Sequence, residues 1–416
     1  MTRSSVVFVA IIVVALVVGI GLSVVKPMLD QRTQQDSVAA TANFIKTNIT
    51  TLKIVYGTEK EEWFRDAITR FQQQNPSINI VMDGEGSMDA YQALSQMAPD
   101  STSIARLTNA RDNDIPAVWS PASTIQVNLL NDVNQMNNKQ LAADCKSLVL
   151  SPLVIMVWDD RAQALTDKYG PDGVTFDNLV DALDPAGKIK GTWGNLGGSA
   201  QASWGLIKIG HTDPRKSNSG VMMLVALANN KFKQIKAVTG DQVSSADFAS
   251  TLGILESGLG QAPANSTGTF INDVIAKGPA AYDVVIAYEA LGIANYANAK
   301  GRQQQGLHFY YPQYNLYSDH PFCIIDHPSI SDKQRAAAQQ LQDFLLTTDI
   351  QRLALKYGFR PADTSIPIFS TDPATQTDFD RLKSAGVSPN IGQLVNIPDG
   401  PTINNLLAVW QRTYKP

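Results

Sequence analysis

Between Leu52 and Trp119 short β-rich runs alternate with helical stretches, and this alternation restricts the fold more than any other feature of the chain. Leu52-Lys53-Ile54-Val55-Tyr56 reads as a strand and is followed at once by Gly57-Thr58-Glu59-Lys60-Glu61. Thr58 with Glu61 forms a capping-box pattern, after which Trp63, Phe64, Ala67, Ile68 and Phe71 fall on one helix face, until Asn75-Pro76 ends the helix. Ile78 to Met82 reads as a second strand, Gly84-Glu85-Gly86-Ser87 turns into another helix, and Ala117-Val118-Trp119 is a third strand ending in Ser120-Pro121-Ala122-Ser123. Strand–helix alternation predicts an α/β fold with a parallel sheet, whose ligand sites lie in the loops beyond the carboxyl ends of the strands.

The same logic continues downstream. Leu148 to Trp158 is a long apolar strand interrupted by Ser151-Pro152, long enough to leave one sheet and enter another. Leu206 to Ile209 and Tyr282 to Tyr288 read as further strands, with the loop Gly210-His211-Thr212-Asp213-Pro214 and a helix from Ser217 to Asn230 between them. A return crossing is expected through His308 to Tyr311 and Phe322 to Ile325, followed by helices from Ser331 to Leu346 and Asp349 to Tyr357, the latter closed by Gly358. Thr402 to Arg412 reads as a last helix. Two crossings predict two lobes joined by a hinge, lobe 1 from about 52–150 and 325–416 and lobe 2 from about 155–310. A length of 416 residues suits this, at roughly 150 residues per domain.

Ahead of this unit, Val6 to Val25 is a run of twenty residues without a charge, about 30 Å as a helix and so long enough to span a bilayer once. Its length and its flank of Lys26-Pro27-Met28 favour an uncleaved signal-anchor over a removed signal peptide, whose apolar region is shorter and followed by a small-residue cleavage site. Residues 1–26 are therefore expected to be a membrane anchor, 27–51 a polar tether, and 52–416 an extracytoplasmic domain, giving a single-pass protein of the cell membrane. With 34 basic against 38 acidic side chains, the chain is not built for nucleic acid. Cys145 and Cys323, the two cysteines, are too few for a zinc site, and the sequence leaves open whether they form a disulfide or two buried thiols.

Several segments occur together and in order: Val118 to Ser123, Ser151-Pro152-Leu153-Val154-Ile155, Gly210 to Pro214, Ser217-Asn218-Ser219-Gly220, Asp319-His320-Pro321 and Gly358-Phe359-Arg360-Pro361-Ala362-Asp363. In these the chain resembles bacterial extracellular solute-binding proteins, and more narrowly the substrate-binding half of relatives that carry a von Willebrand factor type A domain. The Asp-x-Ser-x-Ser motif of that extra domain is absent, the nearest string being Asp100-Ser101-Thr102-Ser103, so the resemblance is to the binding module alone. It implies a two-lobed type 2 periplasmic-binding fold with two interlobe crossovers, preceded by one transmembrane helix. The implied function is capture of a small-molecule or ionic ligand between the lobes, with an ABC-type permease as the expected partner. An envelope interaction or ligand-sensing module on the same fold is the alternative.

In the molybdate- and sulfate-like branch of this fold, small hydroxyl residues and a tyrosine from the second lobe hold the oxyanion, which the resemblance carries onto Thr58, Ser87 and Tyr288. Independently, loops at helix N-termini offer unpaired N–H groups, and four such ends are expected to converge: Thr58 to Lys60, Gly86 to Ser87, Ser120 to Ser123, and Ser217 to Gly220. The candidate ligand-binding residues are thus Thr58, Glu59, Gly86, Ser87, Ser120, Ser123, His211, Thr212, Asp213, Ser217, Ser219, Tyr288 and Glu289. Any one hydroxyl here also suits helix capping. The carboxylates of Glu59, Glu85, Asp213 and Glu289, together with His211, point instead toward a cation, sugar or amine, so the ligand class stays open. His211, Asp213 and Ser219 supply the residue types of a catalytic triad on one loop-helix, a spacing unsuited to a nucleophile–base–orienter line. With no nucleophile-elbow, zinc-protease or phosphate-loop motif in the sequence, the reading is a binder and not an enzyme, with no cofactor and no resident metal.

Overall fold

The computed structural model describes residues 49–414, apart from 98–100, 102, 105–112, 136–139, 172, 186 and 188–190. The expected membrane anchor and nearly all of the expected tether lie outside the described residues, as does part of the Asp100–Ser103 string. Among the described residues no helix is long and apolar enough to cross a membrane.

In chain order the strands are β1 (Thr50–Gly57), β2 (Ile78–Glu85), β3 (Val118–Ser120), β4 (Ala142–Ser147), β5 (Val149–Trp158), β6 (Ile209–Gly210), β7 (Val284–Tyr288), β8 (Leu307–Tyr310), β9 (Tyr314–Asn315), β10 (Tyr317–Ser318), β11 (Pro321–Ile325), β12 (Arg360–Pro361) and β13 (Gln393–Leu394). The helices are α1 (Glu61–Gln74), α2 (Ser87–Ser95), α3 (Thr124–Gln135), α4 (Asp159–Tyr169), α5 (Phe176–Leu183), α6 (Asn218–Phe232), α7 (Gly240–Val243), α8 (Ala246–Ser257), α9 (Thr267–Lys277), α10 (Glu289–Gln303), α11 (Asp332–Leu345), α12 (Thr348–Leu355), α13 (Asp378–Arg381) and α14 (Gly400–Thr413). β1 starts at Thr50, so the last residues assigned to the tether already belong to a sheet.

The first lobe is built on the sheet β2-β1-β3-β11-β4. β1 runs parallel to β2 and β3, with Gly57 opposite Glu85 and Tyr56 opposite Ser120. That register ends three strands at one level and brings their following loops together, as an open parallel sheet requires. Trp63, Phe64, Ala67, Ile68 and Phe71 of α1 pack onto this sheet from one face, matching the periodicity in the sequence. The expected capping box does not form: α1 is entered through a 3₁₀ turn, Thr58–Lys60, and no side chain caps it. Cys145 on β4 and Cys323 on β11 are joined in a disulfide, which resolves the pairing left open above.

The second lobe is built on β10-β5-β7-β6, with β8 and β12 also paired to β5. β5 is the long crossover strand, and both of its faces are buried in different cores. Leu153, Ile155 and Val157 face the core around α6, while Val154, Met156 and Trp158 face the core around α9 and α10. Burial on two faces explains its apolar run from Leu153 to Trp158. α6 is buried on all sides over Asn218 to Asn230. A Cβ added at Gly220 in its first turn would meet the Thr212 carbonyl at 2.5 Å, so only glycine lets the helix sit this close to the 212–214 loop.

The C-terminal quarter departs from the expectation. α11 and α12 pack in the first lobe through Ala338, Leu341, Leu345 and Ile350, but β12 then pairs with Val149 and Leu150 of β5 and carries the chain over a third time. Ile366, Phe379, Leu382 and Val387 fill the core around α9 and α10, and Ile403, Leu406, Val409 and Trp410 of α14 pack in the core around α6. The chain thus crosses between lobes three times, not two, and residues beyond about Pro361 belong with the second lobe by packing. The third crossing is a two-residue strand, too short to leave a periodic trace.

Candidate functional site

Where the two sheets' loops meet, side chains from both lobes form one buried polar cluster. From the first lobe, Ser87 at the start of α2 accepts a hydrogen bond on Oγ from the Ala122 amide at 2.9 Å. A Cβ on Gly57 would sit 2.7 Å from Glu59 Oε2, 2.9 Å from Ser87 Oγ and 3.2 Å from the Ala122 nitrogen, so the bare glycine is what lets these three loops close on one another. The Lys60 ammonium is fully buried and donates to the carbonyls of Ser120 at 2.7 Å and Pro121 at 3.1 Å, pinning the third loop to the first. Ser123 caps α3, its Oγ accepting from the Ile125 amide while its own amide donates to Gln126 Oε1.

From the second lobe come four hydroxyls that bond to one another. Thr212 Oγ1 and Ser219 Oγ are 2.7 Å apart, and Thr267 Oγ1 lies 3.0 Å from both Ser217 Oγ and Ser219 Oγ. They mark the N-termini of α6 and α9. Tyr288, at the end of β7 and the start of α10, is buried, and its hydroxyl accepts from Asn218 Nδ2 at 2.7 Å. Asn218 in turn accepts from Gln126 Nε2 of the first lobe at 2.7 Å, so a chain of buried amides crosses from one lobe to the other.

The connection between the sheets adds a third contribution. Asp319 accepts from the Thr124 amide at 2.7 Å, from the Thr124 hydroxyl at 2.5 Å and from Ser147 Oγ at 2.9 Å, tying the hinge to α3 and β4. His320 is buried with a left-handed φ of 43°, its amide and the Ser318 hydroxyl both donating to the Ala122 carbonyl. The strained backbone places its ring edge-on to Phe359 and near Tyr288.

Burial sets the electrostatics. Desolvation pushes the Glu59 carboxyl up, opposed in part by Lys60, and Glu59 Oε2 has no hydrogen-bond partner. Desolvation lowers Lys60 to about 7, against the pull of Glu59 and Asp319. His320 is held well below the usual histidine range by burial and then by Lys60, and Tyr288 well above the usual tyrosine range by burial and then by Glu59. Ser120 Oγ and His320 Nδ1 are also buried without a partner. The cluster is therefore desolvated, rich in hydrogen-bonding groups, and faced by the positive ends of α2, α3, α6 and α9.

Of the residues expected from sequence, Glu59, Gly86, Ser87, Ser120, Thr212, Ser217, Ser219 and Tyr288 come to these facing loop ends, with Thr58 half-buried beside them and its methyl near Gly84. Ser123 serves the cap of α3. Three others are engaged elsewhere. Glu289 is fully buried in a two-pronged pair with Arg360, both contacts at 2.7 Å, and also accepts from Tyr311. Asp213 is taken by Arg215, which bonds both of its oxygens. His211 donates from Nδ1 to the Thr212 carbonyl and sets Nε2 3.0 Å from Glu256 Oε1, an ion-pair distance although off the hydrogen-bond axis. Ser219 bonds Thr212 and Thr267 and not His211, so the triad residue types do not form a relay. Sequence reasoning missed Lys60, Gln126, Asn218, Thr267 and His320 as members of the cluster. Lys60 and Asn218 lay within the loop ends named from sequence, Thr58 to Lys60 and Ser217 to Gly220, and His320 within the Asp319-His320-Pro321 segment, while Gln126 and Thr267 carried no signal. Among the described residues, no three His, Cys, Asp or Glu side chains are grouped to hold a metal ion.

The family described as "Bacterial extracellular solute-binding protein" matches residues 52–360. No curated protein matches the chain. Among solved structures, the chain is similar to the ferric binding protein from Campylobacter jejuni, at 10% identity and a TM-score of 0.54, covering 87% of this chain and 98% of that one. It is also similar to an ABC transporter from Clostridium perfringens ATCC 13124, at 10% identity and a TM-score of 0.52, covering 87% and 98%. A third is the periplasmic binding protein AfuA from Actinobacillus pleuropneumoniae with exogenous fructose-6-phosphate bound, at 13% identity and a TM-score of 0.51, covering 88% and 97%. What these structures share with the chain is the two-lobed α/β fold.

Proposed function

The chain belongs to the bacterial extracellular solute-binding proteins, and on that premise we propose that its two lobes capture a small polar or ionic solute at the buried cluster between them, outside the cytoplasm, for delivery to an ABC-type importer. The reading is of binding and not of catalysis. The apolar run Val6 to Val25 would hold this unit at the outer face of the membrane through the polar segment behind it.

The observation that supports this most is the meeting of loops from both lobes at one buried polar cluster. Ser87, Ser120 and Glu59 approach from one side, and Thr212, Ser217, Ser219 and Tyr288 from the other. A solute touching both sides is held fully only when the lobes are closed, so binding and closure are one equilibrium. The facing hydroxyls, amides and helix N-termini favour a ligand that brings many hydrogen-bonding groups. Ferric ion and fructose-6-phosphate are the ligands named for two structural neighbours, and both belong in the screen with sulfate, molybdate, sugars and amino acids.

Thermal denaturation measured against this panel provides the test. A captured solute stabilises the folded chain by about 2.7 kcal/mol at a hundredfold excess over Kd. Ser87→Ala together with Tyr288→Ala is expected to abolish that shift while the chain stays folded. A panel without any shift would count against solute capture, and a shift that survives the double substitution would move the site elsewhere.

A further inference from the structure

The contacts that join the lobes do not all converge on the polar cluster. α3 lies between the two sheets' domains, and its apolar residues divide between two cores. Val127 and Leu130 pack in the first lobe, while Ile125 and Leu129, together with Met88 of α2, are buried in the second-lobe core around α6. Spacings of three and four residues place these pairs on two faces of one helix. α14 packs on α6 and α8 of the second lobe and also on α3. Its first residue, Gly400, donates its amide to Asp132 Oδ2 on α3 at 2.8 Å, and a Cβ there would meet the same oxygen at 2.4 Å. On the same helix, Gln126 donates to Asn218 at the start of α6.

We infer that α14 and the second-lobe face of α3 form a clasp that holds the two lobes together before any solute binds. The Gly400–Asp132 contact and the apolar residues lie apart from the polar cluster, and the Gln126–Asn218 bond is where the clasp meets it. Opening the cleft would bring Met88, Ile125 and Leu129 into water and break the Gly400–Asp132 and Gln126–Asn218 hydrogen bonds. Apolar burial and buried amide pairing both resist that. A bias of this kind raises apparent affinity, because less of the ligand's differential binding is spent on moving the lobes. It also slows association, because solute enters only through transient opening. The inference rests on the two-lobed packing and not on what the cleft binds.

Pulsed dipolar EPR on the full chain reads the lobe separation directly. Nitroxides on Gln92→Cys and Ala246→Cys sit at exposed positions, one on each lobe, and the two native cysteines are bonded to each other and do not take label. Unfolding in guanidinium and refolding with the disulfide intact removes any solute carried through purification. The stripped protein is expected to give one short-distance population. Asp132→Ala and Gln126→Ala should each raise the ratio of long to short distances by about threefold to tenfold, the worth of one net hydrogen bond. A stripped protein already dominated by long distances would overturn the clasp, as would two folded variants with the unchanged distribution. Leu129→Ser probes the apolar half; should it fail to fold, Asp132→Ala still decides, since it leaves the core intact.

Discussion

Arg360→Met should destabilise the folded chain strongly while leaving the solute cluster's own residues in place. Arg360 and Glu289 are both almost wholly buried, and the guanidinium meets the carboxylate in two contacts of 2.7 Å while donating also to the Ser388 carbonyl at 2.6 Å. Tyr311 completes the network by donating to Glu289 and accepting from the Ser388 amide. Burial alone would lower the Arg360 pKa, but the hydrogen bond and charge of Glu289 raise it, so the guanidinium stays charged. Removing one partner strands a buried charge, which costs about 3–5 kcal/mol. At about 2.1 cal/mol/K per residue over roughly 360 residues, that corresponds to a fall in Tm of about 4–7 °C. Calorimetry on wild type, Arg360→Met, Glu289→Leu and the double variant forms a cycle, and the double variant should recover most of the loss because two apolar side chains replace a desolvated pair. An unchanged Tm in Arg360→Met would refute the view that this pair anchors the third crossing. If Glu289→Gln kept its Tm but lost solute binding, Glu289 would return to the ligand contacts from which its pairing removes it.

Two further expectations concern stability. His211 is raised above its ordinary value, burial opposing and Glu256 prevailing, so its contribution is complete below the unfolded histidine pKa and is lost as pH rises through the folded one. Glu256→Gln should flatten that decline in a series of urea denaturations from pH 6 upward, and an unaltered pH profile would show that the pair does not titrate with folding. The Cys145–Cys323 bond closes a separation of 178 residues, worth about 5 kcal/mol by chain entropy. Reduction, or Cys145→Ser with Cys323→Ser, should lower the urea midpoint accordingly, and an unchanged midpoint would argue that β4 is held by its ladder and by the Ser147–Asp319 bond alone.

Much of the fold could be read from local pattern. The strand–helix units of the first lobe, the apolar face of α1 and the crossover strand β5 all carry periodicities that local physics enforces, and burial on two faces leaves an unmistakable apolar run. The loops at strand ends were legible for the same reason, since a parallel sheet gathers them at one edge whatever its sequence. What each side chain does in those loops was not legible. Glu59 and Glu289 both follow a strand that ends at a helix start, yet one has an oxygen buried without a partner in the cluster and the other is claimed by Arg360, 71 residues away.

By itself, then, the sequence determined the class of fold, the family and the edge of the sheet where a ligand can sit, because those follow from period, order and residue type over short distances. The tertiary structure alone decided that Cys145 meets Cys323, that Gln126 reaches Asn218 across the lobes, that Arg360 takes Glu289 out of the cleft, and that the last helix packs with the second lobe. Each of these joins segments some ninety to almost two hundred residues apart or lies on a crossing two residues long, and no local periodicity encodes a contact between them.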